Sequence, residues 1–233
     1  MKQPIRTFEK RILNLVYKPF VEWYTSRESS YKYKNYNIKV IPGVFHPRFF
    51  SSTGFMLEFL EFMNFSKKKV LEIGSGSGLI SIVAAGDGAN VLAIDINPVA
   101  IKNTKMNVDL NMDRISLSSG SVEVIHSDLF EQVSAQIFDT LIVNPPFYRG
   151  EAKNSEQYAW FAGNNLEYFE KLFAQCKGHM NSGSEMYMVL SEDCDFNRIF
   201  EIATSNALVV KAVAVKQFLT ENLYIFKITI AHK

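Results

Sequence analysis

The chain alternates between short, unbroken apolar runs and longer stretches in which apolar residues recur every three or four positions. The runs are VLEI (70–73), NVLAID (90–95), VEVIHSD (122–128), FDTLIVN (138–144) and EMYMVLS (185–191). Consecutive apolar positions rich in Val, Ile and Leu suit strands of a parallel sheet buried on both faces. LISIVAAG, NPVAIKNTKMNVDL and NNLEYFEKLFAQCKGHM lie between runs and read as helices. Pro98 falls near the first turn of the second, where the missing N–H has no partner to lose. LVVKAVAV (208–215) and NLYIFKITIA (222–231) are separated only by a loop and predict an antiparallel hairpin at one edge. The alternation predicts an α/β fold, a mostly parallel seven-stranded sheet with helices on both faces.

Ahead of this pattern, residues 5–25 predict a helix, with Ile5, Phe8, Ile12, Leu15, Val16 and Phe20 near a 3.6-residue period. Pro19 ends or bends it. YNIKVIPGVFHP reads as extended with a turn at Pro42-Gly43, and Ser52 or Thr53 as the cap of a helix through GFMLEFLEFMN. The expected organisation is an N-terminal helix and extended segment over 1–50, then the main domain over 51–233. No internal repeat or low-complexity linker interrupts it.

Composition adds exclusions. With 233 residues, 47% hydrophobic and 21% charged, the chain can bury one full core. No run approaches the ~18 uncharged apolar residues of a membrane span, and MKQPIRTFEK lacks the apolar centre of a signal peptide; a cytoplasmic protein without membrane contact is expected. Cys176 and Cys194 form no CxxC pair, and His46, His126, His179 and His232 show no ligand spacing, so no structural metal is expected. His46 lies next to the expected pocket entrance and suits either a structural histidine, the simpler reading, or a residue of the site. The net charge of +1 conceals an asymmetry: residues 1–40 hold nine Lys/Arg and three Glu, 9 − 3 = +6, which leaves 1 − 6 = −5 for the rest. Eight aromatics share that basic segment. It is suited either to phosphate neutralisation and base stacking or to packing as a helix with its lysines in water.

The chemistry begins at KVLEIGSGSGLISI. Glycines 74, 76 and 78 follow a predicted strand and open a predicted helix, where glycine permits φ > 0 and close approach. A dinucleotide fingerprint places its third glycine one residue later. Glu72, on the strand before the loop, would repel a pyrophosphate and attract a cation by about 1–4 kcal/mol. Asp95 and Asp128 end the next two predicted strands, the edge where α/β sheets bind ligands. Asn144-Pro145-Pro146-Phe147 follows the fourth strand at that edge. The Asn144 side-chain oxygen and the Pro145 carbonyl can both accept from a planar NH₂, and Phe147 can stack on it. Held in that way, a weakly nucleophilic amide or base nitrogen is oriented for in-line displacement without a strong base.

E-I-G-S-G-S-G resembles the first motif of class I S-adenosylmethionine-dependent methyltransferases, (D/E)-x-G-x-G-x-G. The resemblance implies their Rossmann-like fold. It also implies S-adenosylmethionine held by Glu72, Gly74, Gly76, Gly78, Asp95 with Ile96 on the ribose, Asp128 with Leu129 at the adenine, and Asn144. NPPF resembles the (N/D/S)-P-P-(Y/F/W) motif of amino-methyltransferases. With VIPGVFHPR and AWFAGNNLEYF, the likeness over about residues 38–231 is to the HemK-like "methyltransferase small domain" group. The activity implied is N-methylation of a protein glutamine, as in a peptide-release factor, or of an exocyclic amine in rRNA or tRNA. Asn144, Pro145, Pro146 and Phe147 are then the catalytic residues. The chain departs from the pattern after Pro47-Arg48. The family commonly has an acid and a Thr-Glu pair there, whereas this chain reads Phe49-Phe50-Ser51-Ser52-Thr53. Its N-terminal extension is also shorter than that of bacterial HemK-type enzymes. A NAD(P)-dependent oxidoreductase would account for the glycine loop and Asp95, but not for Glu72 or NPPF.

Overall fold

The computed structural model describes residues 25–153, 155–219 and 221–231. The helix expected over 5–25 falls almost entirely outside these. Seven strands, β3 (Lys69–Ile73), β4 (Asn90–Asp95), β5 (Ser121–His126), β6 (Thr140–Val143), β7 (Glu185–Ser191), β8 (Leu208–Gln217) and β9 (Asn222–Ile230), form one sheet in the order β5-β4-β3-β6-β7-β9-β8. β3 to β7 run parallel, and β9 runs antiparallel to both β7 and β8, as the hairpin expectation requires. The winding direction reverses between β3 and β6. The crevice at their carboxyl ends is the switch point at which such sheets bind ligands.

Alternating side chains along the strands build a core on each face. Leu71, Ile73, Leu141 and Val143 pack on Phe169, Leu172 and Phe173 of α5 (Glu167–Cys176) and Ile199 and Ile202 of α6 (Phe196–Ser205). Val70, Val91 and Ile142 face α1 (Ser51–Leu60), α2 (Leu79–Gly86) and α3 (Pro98–Leu110). Asn97 caps α3, its side chain accepting from the Val99 amide at 2.9 Å.

A hairpin of β1 (Ser29–Tyr33) and β2 (Tyr36–Val40) lies against α3. Asn103, Asn107 and Asn111 accept from the backbone N–H groups of Ile41, Lys39 and Asn37 at 2.9, 2.9 and 3.0 Å. Their amide NH₂ groups donate back to Lys39 and Asn37 carbonyls at 2.7–2.9 Å. Four helical residues rise about 6 Å and two strand residues about 6.8 Å, so a side chain on every fourth position meets alternate residues of the strand. The ladder satisfies an edge that would otherwise be exposed to pairing. Asn107 also donates to the Ser77 carbonyl at 2.8 Å and is fully buried. Asn107→Ala is expected to cost about 3 kcal/mol through the unpaired groups it leaves, read as a fall in urea midpoint at unchanged slope.

Several expectations need correction. VEVIHSD is not a strand buried on both faces: β5 is an outer strand, and each of its side chains is half-buried or exposed. Neither Ser52 nor Thr53 caps α1; the cap position is Phe50, without a side-chain bond, and both hydroxyls are engaged elsewhere. Strand β1 and helices α4 (Met112–Leu117) and α6 were not anticipated. Pro42-Gly43 does form the expected turn: Val44 N–H donates to the Ile41 carbonyl at 3.3 Å, with Gly43 at φ +86°.

Candidate active site

The loop after β3 is tied down by Gly74 and Ser75 amides that donate to the Ile94 carbonyl, both at 2.9 Å. Gly74 and Gly76 have φ of +79° and +54°, and a Cβ on either would meet nothing within 4 Å. They keep the wall of a cavity open. Gly78 does not join them there: it is absent from the cavity lining, and a Cβ on it would come within 2.7 Å of Thr104 Cγ2. The third glycine serves close packing of α2 against α3.

Three carboxylates approach this cavity in different states. Glu72, 4% exposed, accepts from the Ser81 amide at 2.9 Å and from the Ser81 hydroxyl. Burial pushes its carboxyl up to about 8, against those two bonds. Asp95 accepts from the Gly76 and Asn97 amides at 2.9 and 2.8 Å, and burial raises its pKa too. Asp128 pairs with Lys171 of α5, which also reaches Glu131 at 2.6 Å. Ile96 and Leu129 line the cavity beside these acids, and Leu129 holds a left-handed backbone at φ +50°. The Ile96 carbonyl accepts from His126 Nε2 at 2.8 Å.

At the end of β6, Asn144 is half-buried, and its Nδ2 donates to Ser52 Oγ at 3.2 Å and Thr53 Oγ1 at 3.3 Å. Pro145 and Pro146 are buried and Phe147 packs against both cores. The following strand-like segment pairs with the AWFAG stretch: Tyr148 N–H donates to the Trp160 carbonyl at 2.8 Å, and Gly150 and Gly163 exchange backbone bonds at 3.2 and 3.0 Å. Gly163 holds φ +91°, a backbone conformation that L side chains rarely adopt, so any side chain there would be strained.

The structure thus brings Glu72, Gly74, Gly76, Asp95, Ile96, Asp128, Leu129, Asn144, Pro145, Pro146 and Phe147 around one cavity of about 1220 Å³. That exceeds the roughly 300–1,000 Å³ of an ordinary small-molecule pocket, leaving room for a cofactor and part of a second substrate. Its outer wall was missed by sequence reasoning. Phe45 stacks on Phe50 at 4.1 Å, and Trp160 meets them at 5.3 and 4.9 Å. Tyr168 and Lys171, spaced i, i+3 on α5 beside the core positions Phe169 and Leu172, were missed too. The lining carries Glu72, Asp95, Asp128, Glu151, Glu167, Asp193 and Glu221, and Lys171 is the one basic residue among its described members. Burial raises the Tyr148 hydroxyl's pKa, and Glu221 and Asp193 raise it further.

The sequence profile of the methyltransferase small domain matches residues 35–218. The chain belongs to that family. As a methyltransferase small domain, it is 38% identical over 127 residues to a Methanocaldococcus jannaschii protein provisionally named as a protein N5-glutamine methyltransferase, covering 54% of this chain and 58% of that one. It is 29% identical over 96 residues to the tRNA1(Val) (adenine(37)-N6)-methyltransferase of Haemophilus influenzae, covering 39% of each. The chain therefore spans less than two thirds of either relative. Among solved structures, the T. thermophilus 16S rRNA N2 G1207 methyltransferase in complex with AdoMet and guanosine superposes with a TM-score of 0.61 at 17% identity. That match covers 88% of this chain and 50% of the other. At that identity the likeness is one of fold.

His46 stands apart from this methyltransferase cavity. It is 1% exposed, lies within hydrogen-bonding distance of Ser29 Oγ at 3.0 Å through Nε2, and accepts the Arg48 amide at 3.2 Å through Nδ1. Among the described residues no cluster of His, Cys, Asp or Glu could hold a metal ion, and no helix is long and apolar enough to cross a membrane.

Proposed function

We propose that this chain is an S-adenosylmethionine-dependent N-methyltransferase whose acceptor is a side-chain amide of a protein. The residues present suit the cofactor. Gly74 and Gly76 leave the wall open, Asp95 and Asp128 offer acceptors to hydroxyl and amine donors, and the Glu72 carboxyl balances positive charge. When bound, the cofactor supplies an electrophilic methyl on a sulfonium. The chain's own part is to orient an NH₂ group, which Asn144 Oδ1 and the Pro145 carbonyl do as acceptors, and to cover its planar face with Phe147.

The observation that carries the choice of a protein over a nucleic acid is the charge of the cavity lining. Its described members include Glu151, Asp193 and Glu221 together with Phe45, Phe50 and Trp160, and Lys171 is the one basic residue. An RNA strand would bring a phosphate past those carboxylates with every nucleotide, where nucleic-acid grooves present Lys and Arg instead. A neutral amide on a protein loop meets no such repulsion. Tritiated S-adenosylmethionine incubated with cell extract, then split into RNA and protein, is expected to label the protein fraction. Label confined to RNA would overturn this reading.

Glu72 gives the cofactor a pH signature. In the ligand-free protein its raised pKa keeps the carboxyl protonated at pH 7, and a bound cation favours the ionised form. Binding of S-adenosylhomocysteine, which carries the ammonium, should therefore release close to one proton at pH 7, and affinity should rise with pH up to about 8 and level off. The sign for folding is opposite. Stability from this group is full below the ordinary glutamate range and is lost as pH rises through about 8. Calorimetry in buffers of different ionisation enthalpy reads the proton release, and Glu72→Gln should abolish the buffer dependence.

A further inference from the structure

Ser51, Ser52 and Thr53 open α1 where the family resemblance implies an acid and a Thr-Glu pair, and in the fold Ser52 and Thr53 lie directly against Asn144. Ser52 and Thr53 are 4% and 7% exposed, sit in the first turn of α1, and place their hydroxyl oxygens 3.2 and 3.3 Å from Asn144 Nδ2. An amide NH₂ has two protons, and two hydroxyl oxygens on two adjacent residues account for both. With the nitrogen end engaged, Oδ1 is the end of the amide left to face the acceptor, and it can only accept. Turned the other way, with Oδ1 accepting from the two hydroxyls, the amide would point its NH₂ at the cavity and oppose the NH₂ of the substrate.

We infer that Ser52 and Thr53 are positioning residues. They hold the Asn144 amide in the orientation that presents its oxygen, and so select an acceptor bearing N–H donors over one bearing a carbonyl or carboxylate at the same place. The inference rests on the reading of Asn144 as an NH₂ acceptor. It extends that reading to two residues outside the NPPF motif.

The test has two arms on the full chain. In protein labelled with ¹⁵N-asparagine, the Nδ2 protons of Asn144, assigned by their loss in Asn144→Asp, should show cross-relaxation to the Thr53 γ-methyl and slow exchange with solvent. In the Ser52→Ala/Thr53→Val double variant the exchange should quicken. In Ser52→Thr/Thr53→Ser, which keeps both hydroxyls, slow exchange should return. The second arm measures initial rates of tritiated-methyl transfer into whichever extract fraction the wild type labels. The Ala/Val variant should lose at least tenfold in kcat, the equivalent of about 1.4 kcal/mol, with S-adenosylhomocysteine affinity within twofold, and the Thr/Ser variant should recover the rate. Absent Thr53 contacts from the Asn144 amide in the wild type would overturn the inference. So would an unchanged kcat in the Ala/Val variant, or cofactor affinity falling in step with rate. Label appearing only in RNA would refute the protein acceptor, while the magnetic-resonance arm would still decide the orientation of Asn144.

Discussion

Asn144→Ala is expected to lower methyl transfer by about 10²–10³-fold, the range found when one preorganised polar group facing a developing charge is removed. Asn144 lines the cavity, while its side-chain nitrogen is held by Ser52 and Thr53 rather than by the glycine loop. Affinity for S-adenosylhomocysteine should therefore stay within about threefold, since 0.6 kcal/mol is roughly that ratio. Parallel measurement of initial rate and calorimetric affinity separates the two. An equal loss in both would make Asn144 a cofactor or folding residue and remove the chemical role given to the NPPF loop.

Asp95→Ala should act in the opposite way, with its main effect on affinity. The carboxylate holds the loop by accepting from the Gly76 and Asn97 amides and lines the cavity, and in the proposed function its remaining lone pairs accept from hydroxyl donors of the cofactor. Bonds to a charged group contribute about 1.5–3 kcal/mol each. Losing two from a bound cofactor weakens binding on the order of 10²–10⁴-fold. Asp95→Asn keeps one acceptor oxygen and should fall between. Melting temperature should drop in Asp95→Ala as well, because the Gly76 and Asn97 amides lose their partner. Saturating cofactor should recover kcat in Asp95→Asn but not in Asn144→Ala.

The apolar runs made the sheet legible because strands β3, β6 and β7 are buried on both faces, and VLEI, TLIV and EMYMVLS have no alternation to confuse with loops. The edge that lines the cavity was legible for a related reason: Asp95 and Asn144 each follow an apolar run directly, and Asp128 comes three residues after Ile125. Elements that alternate were harder to read. SSYKY in β1 reads as a polar loop, although its tyrosines point alternately inward, and FNRIFEIATS in α6 buries only Ile199, Ile202 and Ala203. The outer wall of the cavity was invisible in sequence because Phe45, Phe50 and Trp160 come from segments more than 100 residues apart. Ser52 and Thr53 were misread because a hydroxyl at a helix start has two partners available, the local backbone and Asn144, and only tertiary packing decides between them.

The asparagine ladder between α3 and β2 has a repeat of its own. Sliding the strand by two residues against the helix by four would re-form two of its three rungs, so the rungs alone do not set where the hairpin stops. Asn97 does: its side-chain NH₂ donates to the carbonyl of Gly43 at 3.0 Å, at the Pro42-Gly43 turn where the strand ends. That contact acts as the index mark on a graduated scale. The chain from Gly43 onward, which carries Phe45, Phe50, Ser52 and Thr53 to the cavity, is thereby measured off from the same residue that caps α3 and donates its amide to Asp95.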